Sequence, residues 1–108
     1  SGDYSKAASS GNHSTAAGSG DYSTAASSGN YSKAASSGSY SKATAKGSNT
    51  IACVAGLYGR ASAGENGVFT LHYNDAKRNR AVTGYVGEDG IEADVIYRLD
   101  ETGKIIKA

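Results

Sequence analysis

Tyrosine is the residue type whose number and spacing in this chain most directly suggest a chemical role, and that role is recognition. Tyr4, Tyr22, Tyr31, Tyr40 and Tyr58 each stand two places after a glycine in a nine-residue frame. A tyrosine offers a large contact area and a hydroxyl at low entropic cost, so it is favoured in binding surfaces. Outward rows of these residues would bind a partner. The alternative is that the rows only shield a thin core or stack on one another.

The densest positive charge is the run Lys77-Arg78-Asn79-Arg80. A run of this kind at a hairpin tip is ordinarily solvated, and the alternative is contact with a phosphate or an acidic partner. Lys77, Arg78 and Arg80 therefore join the five tyrosines as candidate binding residues.

Residues that could bind a metal or act as a nucleophile are present, but their spacing is wrong for either. Asp3 and Asp21 lie beside glycines as in calcium-binding nonapeptide rolls, yet the repeats lack the Gly-Gly-x-Gly-x-Asp loop of those rolls, and up to about residue 46 their inward positions hold Ala or Ser instead of a large apolar residue. His13, His72 and Cys53 lack metal-ligand spacing, and no nucleophile-elbow motif is found. We expect no catalytic residue, metal or cofactor. The aspartates should bond their own turns, and Cys53 should be a small packed residue.

Charge and length exclude further classes of function. The 108 residues include 11 Lys and Arg and 10 Asp and Glu, so the net charge is +1. Such a balance gives no electrostatic case for nucleic acid or an anionic membrane. No apolar run approaches the ~20 residues that span a bilayer. The expected partners are a protein, a second copy of the chain in a homo-oligomer, or a glycan.

A nine-residue repeat must position these side chains. Alanine recurs five places after each repeat glycine without exception, which no flexible linker requires. The repeat glycines are Gly2, Gly11, Gly20, Gly29, Gly38, Gly47 and Gly56, and the alanines are Ala7, Ala16, Ala25, Ala34, Ala43, Ala52 and Ala61. Nine residues suit one short strand and one tight turn, so the repeats predict an all-β fold.

The strand of the first repeat is predicted at residues 4–9. Because strand side chains alternate between faces, Ser5, Ala7 and Ser9 should point inward, and Tyr4 and Lys6 outward. Two repeats per coil give 18 residues per turn of a parallel β-solenoid, with coils ~4.8 Å apart and about three and a half coils in all. Tyr4, Tyr22 and Tyr40 would then form one ladder, with His13 and Tyr31 on the opposite side.

Composition changes after about residue 46, although the repeat frame persists to about residue 63. Residues 68–73, 81–86, 93–99 and 104–106 read as four short strands separated by turn residues. We predict a solenoid over residues 1–63 and, over 64–108, a small antiparallel cap that holds most large apolar residues. The surplus apolar surface of the cap could form an oligomer interface.

The Gly-x-Tyr-Ser-x-Ala-Ala pattern resembles the Ser-x-Ala repeats in the head domains of trimeric autotransporter adhesins, which are parallel β-rolls. It is more similar to nonapeptide-repeat proteins of bacteria and their prophages, with Gly-x-x-Ser-x-Ala units and a short β tail. The matching tail segments here are residues 47–52, 87–99 and 102–104. This resemblance spans nearly the whole chain and implies a fold, but no activity.

Three functions follow as hypotheses, none of them enzymatic. The first is a structural or protein-interaction module, one version of which is a phage-associated inhibitor of a bacterial defence system. The second is an adhesin-like or tail-fibre-like segment that binds glycans. Ice binding through Thr15 and Thr24 is the third, although Lys6, Lys33 and Lys42 interrupt the face. A bacterial or phage-infected cytoplasm is slightly favoured over a virion or a cell surface.

Overall fold

A computed structural model describes residues 6–108 of the chain as eleven β-strands without a helix. The strands are β1 (Lys6–Ser9), β2 (Thr15–Gly18), β3 (Thr24–Ser28), β4 (Lys33–Ser36), β5 (Lys42–Lys46), β6 (Ile51–Leu57), β7 (Arg60–Ser62), β8 (Val68–Asn74), β9 (Asn79–Tyr85), β10 (Tyr97–Leu99) and β11 (Ile105–Lys107). They form two sheets that face each other across a narrow core. Sheet 1 has the order β1-β3-β5-β7-β10-β11, and sheet 2 the order β2-β4-β6-β8-β9.

The predicted solenoid with 18 residues per coil is confirmed. Ala7 pairs with Ala25 and Ala25 with Ala43 in sheet 1, while Ala16 pairs with Ala34 in sheet 2, always in parallel. Odd and even repeats therefore alternate between the sheets, and about four coils stack. This register places every residue beside its equivalent two repeats away.

The inward positions are those that the alternation predicts. Ala25, Ala34, Ala43 and Ala52 are buried, and so are the serines on either side of them, such as Ser23 and Ser27. The serine hydroxyls bond across the core, for example Ser23 Oγ with Ser36 Oγ at 3.2 Å. Because Ser and Ala bury little apolar area, these hydrogen bonds must replace much of an ordinary hydrophobic core.

The corners, which are the turns where the chain passes from one sheet to the other, differ from the prediction. Each tyrosine lies in the corner before a strand instead of beginning the strand. His13, Tyr22, Tyr31, Tyr40, Asn49 and Tyr58 all have φ between 58° and 62°. This left-handed conformation is costly for a residue with a side chain. It is held by a backbone bond to the next coil: the Tyr22 N–H donates to the Ser39 carbonyl at 2.9 Å, and the Tyr40 N–H to the Leu57 carbonyl at 2.9 Å.

The turn carboxylates and amides also bond differently from the prediction, which placed their bonds within their own turns. Asp21 Oδ1 accepts the N–H of Ser39 at 3.0 Å, and Asn30 Oδ1 accepts the N–H of Ser48 at 3.0 Å. Each acceptor therefore joins one coil to the next. Asp3 lies outside the described residues.

One core site shows compensation between two coils. Gly59 stands where Ser23 and Ser41 stand in earlier coils, and Val54 stands where Ser36 does. A Cβ on Gly59 would lie 2.2 Å from Val54 Cγ1. The missing side chain of Gly59 therefore makes room for the larger Val54, and the core becomes apolar at this coil.

The C-terminal strands are antiparallel, as predicted for this segment, and they form two hairpins, β8–β9 and β10–β11. β8 additionally pairs in parallel with β6, and Tyr97 of β10 pairs antiparallel with Ala61 of β7. The predicted strand at 93–99 is wrong in its first half. Asp94, at φ 60°, donates its N–H to the Ala63 carbonyl instead of joining a sheet, so only Tyr97–Leu99 pair.

Large apolar residues concentrate at this end of the solenoid. Phe69, Leu71, Ile91 and Tyr97 are buried, and the Phe69 ring stacks on Tyr97 with centroids 5.5 Å apart. Phe69 also lies over Gly84 of the neighbouring strand, where a Cβ would meet the ring at 2.5 Å. The C-terminal strands therefore close the last coil with a conventional hydrophobic core.

Candidate functional site

Tyr22, Tyr40 and Tyr58 form one continuous stack at the edge where the strands of sheet 1 begin. The ring centroids of Tyr22 and Tyr40 lie 5.2 Å apart with planes 8° from parallel, and those of Tyr40 and Tyr58 lie 4.9 Å apart at 14°. We call these three residues the tyrosine column. The predicted ladder is therefore present and extends to Tyr58, whereas Tyr4 lies outside the described residues.

A second, shorter column lies at the opposite edge. His13 stacks on Tyr31 with centroids 5.3 Å apart and planes 7° from parallel. Asn49 occupies the equivalent corner of the following coil, so no aromatic ring continues this column there. The prediction that the two ladders lie on opposite sides is borne out by the alternation of the repeats between the sheets.

Stacking determines which part of each tyrosine can meet a partner. The central ring, Tyr40, has Tyr22 on one face and Tyr58 on the other, yet 53% of the residue is exposed. What it presents to solvent is therefore the ring edge and the hydroxyl. Because the corner backbone and the stacking already fix each ring, little side-chain entropy remains to be lost on binding.

Positive charge lies directly beside the tyrosine column. An open groove of about 270 Å³ runs between the tyrosines and the column formed by Thr24, Lys42 and Arg60. The strand register stacks these three residues on consecutive coils of sheet 1. Lys6 and Lys46 add to the outer face of the same sheet, which is therefore basic.

The net charge of +1 is the sum of a positive N-terminal part and a negative C-terminal part of the chain. Residues 1–63 contain five Lys and Arg and two Asp, for a net charge of +3, whereas residues 64–108 contain six Lys and Arg and eight Asp and Glu, for −2. The outer face of sheet 2 has Lys33 as its cation, next to small or apolar residues such as Ala17, Ala35 and Ile51. The basic character thus belongs mainly to sheet 1.

The basic run lies at the tip of the β8–β9 hairpin, as predicted, and its own turn uses part of its charge. Asp75 Oδ1 accepts the N–H groups of Lys77 and Arg78 at 2.9 and 2.8 Å, and Asp75 Oδ2 pairs with Arg80 Nε at 2.6 Å. Hydrogen bonding from Arg80, followed by the two N–H groups, lowers the pKa of Asp75 to about 2. Lys77 and Arg78 are exposed beyond this network.

None of the hydrogen bonds or ring contacts within residues 6–108 joins Lys77, Arg78 or Arg80 to either aromatic column. The sequence-predicted residues therefore fall into three separate groups: the tyrosine column, the second column and the hairpin tip.

Residues that could hold a metal remain dispersed. His72 Nδ1 lies 2.8 Å from the Val54 carbonyl, and His13 is stacked at the far edge. Cys53 is half-buried on the outer side of β6, beside Ala35. Over the described part of the chain, no group of three or more His, Cys, Asp or Glu is arranged to bind a metal ion. No helix long and apolar enough to cross a membrane occurs in residues 6–108.

Sequence reasoning missed a cavity of about 270 Å³ at the junction of the solenoid and the C-terminal strands. Tyr58, His72, Tyr73, Arg98, Asp100 and Glu101 are among the residues that line it. They come from the corner before β7, from β8 and from the β10–β11 hairpin. No repeat or motif links these three segments, so nothing in the sequence indicates the cavity.

No protein-family model matches this chain, and neither a curated protein nor a solved structure is significantly similar to it.

Proposed function

We propose that the protein is a non-enzymatic protein-interaction module that recognises an acidic partner through the tyrosine column and the cations beside it. The observation that supports this most directly is the stacked column itself. Its rings stack on one another, and backbone bonds to the next coil hold the corners of Tyr22 and Tyr40, while about half of each of these two residues remains exposed. Preorganised tyrosines are well suited to protein recognition, because few rotamers must be frozen on binding.

Stacking favours a protein over a glycan as the ligand of the column. A sugar ring binds an aromatic residue by lying on its face, and both faces of Tyr40 are already covered. Ring edges and hydroxyls, in contrast, suit the side chains and backbone carbonyls of a protein surface. The column therefore has the chemistry of a protein interface.

The positive charge beside the tyrosine column favours an acidic protein as the partner. Lys42 and Arg60 line the groove beside the rings, and neither forms an ion pair among the described residues. A partner with Asp or Glu side chains would meet these cations while it contacts the tyrosine edges. The likeness to prophage repeat proteins supports searching among bacterial proteins, including those of phage defence.

A site-specific photo-crosslinker would test this proposal in bacterial lysate. Thr24 and Thr15 occupy the same repeat position on opposite sheets, so they form a matched pair. We expect a crosslinker at Thr24, beside the tyrosine column, to capture a discrete acidic protein, and one at Thr15 to capture none. Excess unlabelled protein should compete, and excess Tyr40→Ala protein should not. Equal capture at the two positions would refute the assignment to this surface.

A further inference from the structure

The cavity at the junction of the solenoid and the C-terminal strands lies where the tyrosine column ends. Tyr58 stacks on Tyr40 through one ring face, and no other ring stacks on it among residues 6–108. It is 69% exposed, and it lines the junction cavity. Unlike Tyr40, Tyr58 therefore has one ring face without a stacking partner, and it lies at the cavity.

The polar groups around this cavity include both donors and acceptors without internal partners. The side chains of Arg98 and Glu101 make no ion pair or hydrogen bond within the described residues, and the hydroxyls of Tyr58 and Tyr73 make none either. His72 Nδ1 lies 2.8 Å from the Val54 carbonyl, which can only accept, so Nδ1 carries the proton of this bond and Nε2 is the acceptor in the neutral imidazole. A ligand could therefore both donate and accept hydrogen bonds here.

The frame of the cavity is fixed. Asp100 Oδ1 accepts the Thr102 N–H and hydroxyl at 2.9 and 2.7 Å and the Lys104 N–H at 2.9 Å, which closes the β10–β11 turn. Gly103, at φ 88°, packs so tightly on the Tyr73 ring that a Cβ there would lie 2.4 Å from it. The turn and the Tyr73 ring thus hold each other in place.

From these observations we propose that the junction cavity binds a single neutral sugar ring of the hexopyranose class. A hexopyranose has a face of C–H groups that can lie on Tyr58, and hydroxyls that both donate and accept. Glu101 and His72 Nε2 would accept from these hydroxyls, and Arg98 would donate to them. One cation against two carboxylates does not favour an anionic ligand, and the volume of about 270 Å³ suits one ring.

This inference does not depend on the proposed protein interaction. It uses the outer face of Tyr58 and the C-terminal strands, whereas the protein interaction uses ring edges and the cations of sheet 1. The two can therefore fail separately.

The test is a titration of the whole protein with methyl glucoside, methyl galactoside, methyl mannoside and N-acetylglucosamine, followed by saturation-transfer and chemical-shift NMR. We expect at least one of these sugars to bind with a dissociation constant in the millimolar range. Tyr58→Ala should weaken binding by about tenfold, because it removes the aromatic platform. Tyr58→Phe should largely preserve binding, and Tyr31→Ala, in the other column, should leave it unchanged.

Glu101→Gln is the second variant, because Glu101 is exposed and its replacement should leave the fold intact. It should weaken sugar binding while leaving crosslinking from Thr24 unaffected, which separates this inference from the proposed function. The inference is overturned if none of the four sugars binds, or if both Tyr58→Ala and Glu101→Gln bind as the parent does. Tighter binding of glucuronic acid or AMP than of any neutral sugar would also overturn it.

Discussion

The repeats and the C-terminal strands belong to the same two sheets, but the residues that fill their cores differ in type. Within the repeats the core is Ser and Ala, joined by hydroxyl bonds such as Ser23 to Ser36, and the aromatic rings are outside. Beyond Val54 the buried residues are mainly apolar, and the aromatic rings of Phe69 and Tyr97 are inside. The comparison indicates that a repeat coil stacked between similar coils can be closed by small alanine side chains and serine hydrogen bonds, whereas the last repeat coil is covered by a conventional hydrophobic core.

This contrast predicts where substitutions will cost most. In the C-terminal strands, substitutions that remove apolar volume should lower the free energy of unfolding most. In the repeats, substitutions that add volume or leave a hydroxyl unpaired should lower it most. Three experiments test this contrast, and a fourth tests an exposed ion pair outside both cores; they are ordered from the largest expected effect to the smallest.

Phe69→Ala should be the most destabilising of these changes. The side chain is fully buried, lies over Gly84 and stacks on Tyr97, so its removal leaves a cavity that the neighbours cannot fill. We expect a loss of about 3–5 kcal/mol in the free energy of unfolding, measured in urea. Phe69→Leu should cost clearly less. A Phe69→Ala loss below about 1 kcal/mol would mean that the C-terminal core does not stabilise the fold as argued.

Gly38→Ala should come next, by overpacking. A Cβ on Gly38 would lie 2.0 Å from the Gly20 carbonyl oxygen of the adjacent coil, and backbone cannot move aside as a side chain can. We expect a loss of about 1–3 kcal/mol. Gly18→Ala is the matched control, because the nearest atom to its Cβ is 3.4 Å away. If both substitutions had the same effect on urea unfolding, the tight stacking of the coils would be contradicted.

Ser23→Ala should have a smaller effect, because it leaves the Ser36 hydroxyl in the core without this partner. We expect a loss of about 1–2 kcal/mol, since an unpaired buried hydroxyl is costly. The double variant Ser23→Ala and Ser36→Ala should be less destabilised than the sum of the two single variants. Strict additivity of the three unfolding free energies would show that the hydroxyl pair does not act as a unit.

The smallest effect should be at the hairpin tip. Because the pKa of folded Asp75, about 2, lies below its ordinary value of 3.8, the ionised form favours the folded turn. That contribution is complete above the ordinary pKa and is lost as the pH falls through about 2. A carboxyl NMR titration should place the Asp75 midpoint near 2, and Arg80→Gln should raise it. A midpoint near 3.8 in the parent protein would contradict the Arg80 pair.

Much of the solenoid could be predicted, because the repeat is a local constraint copied many times. An invariant alanine and alternating faces identify the inward positions. Asp3 and Asp21 are 18 residues apart in the sequence, as are Asn12 and Asn30, and this spacing favours two repeats per coil. The corners could not be predicted in the same way. Whether Tyr22 begins a strand or turns the corner depends on the bond from its N–H to Ser39 in the next coil, which local propensity does not contain.

The sequence by itself therefore determined the all-β class, the coil length, the composition of the core and the sides on which the aromatic rows lie. Only the tertiary structure decided how those rows can be used, because stacking covers both faces of Tyr40 and leaves one face of Tyr58 without a ring partner. It alone also assembled the junction cavity from three segments that share no repeat. The physical reason is that periodic order is encoded locally in every repeat. The cavity and the unstacked face of Tyr58, in contrast, arise where the stack of repeats ends and segments distant in the sequence meet.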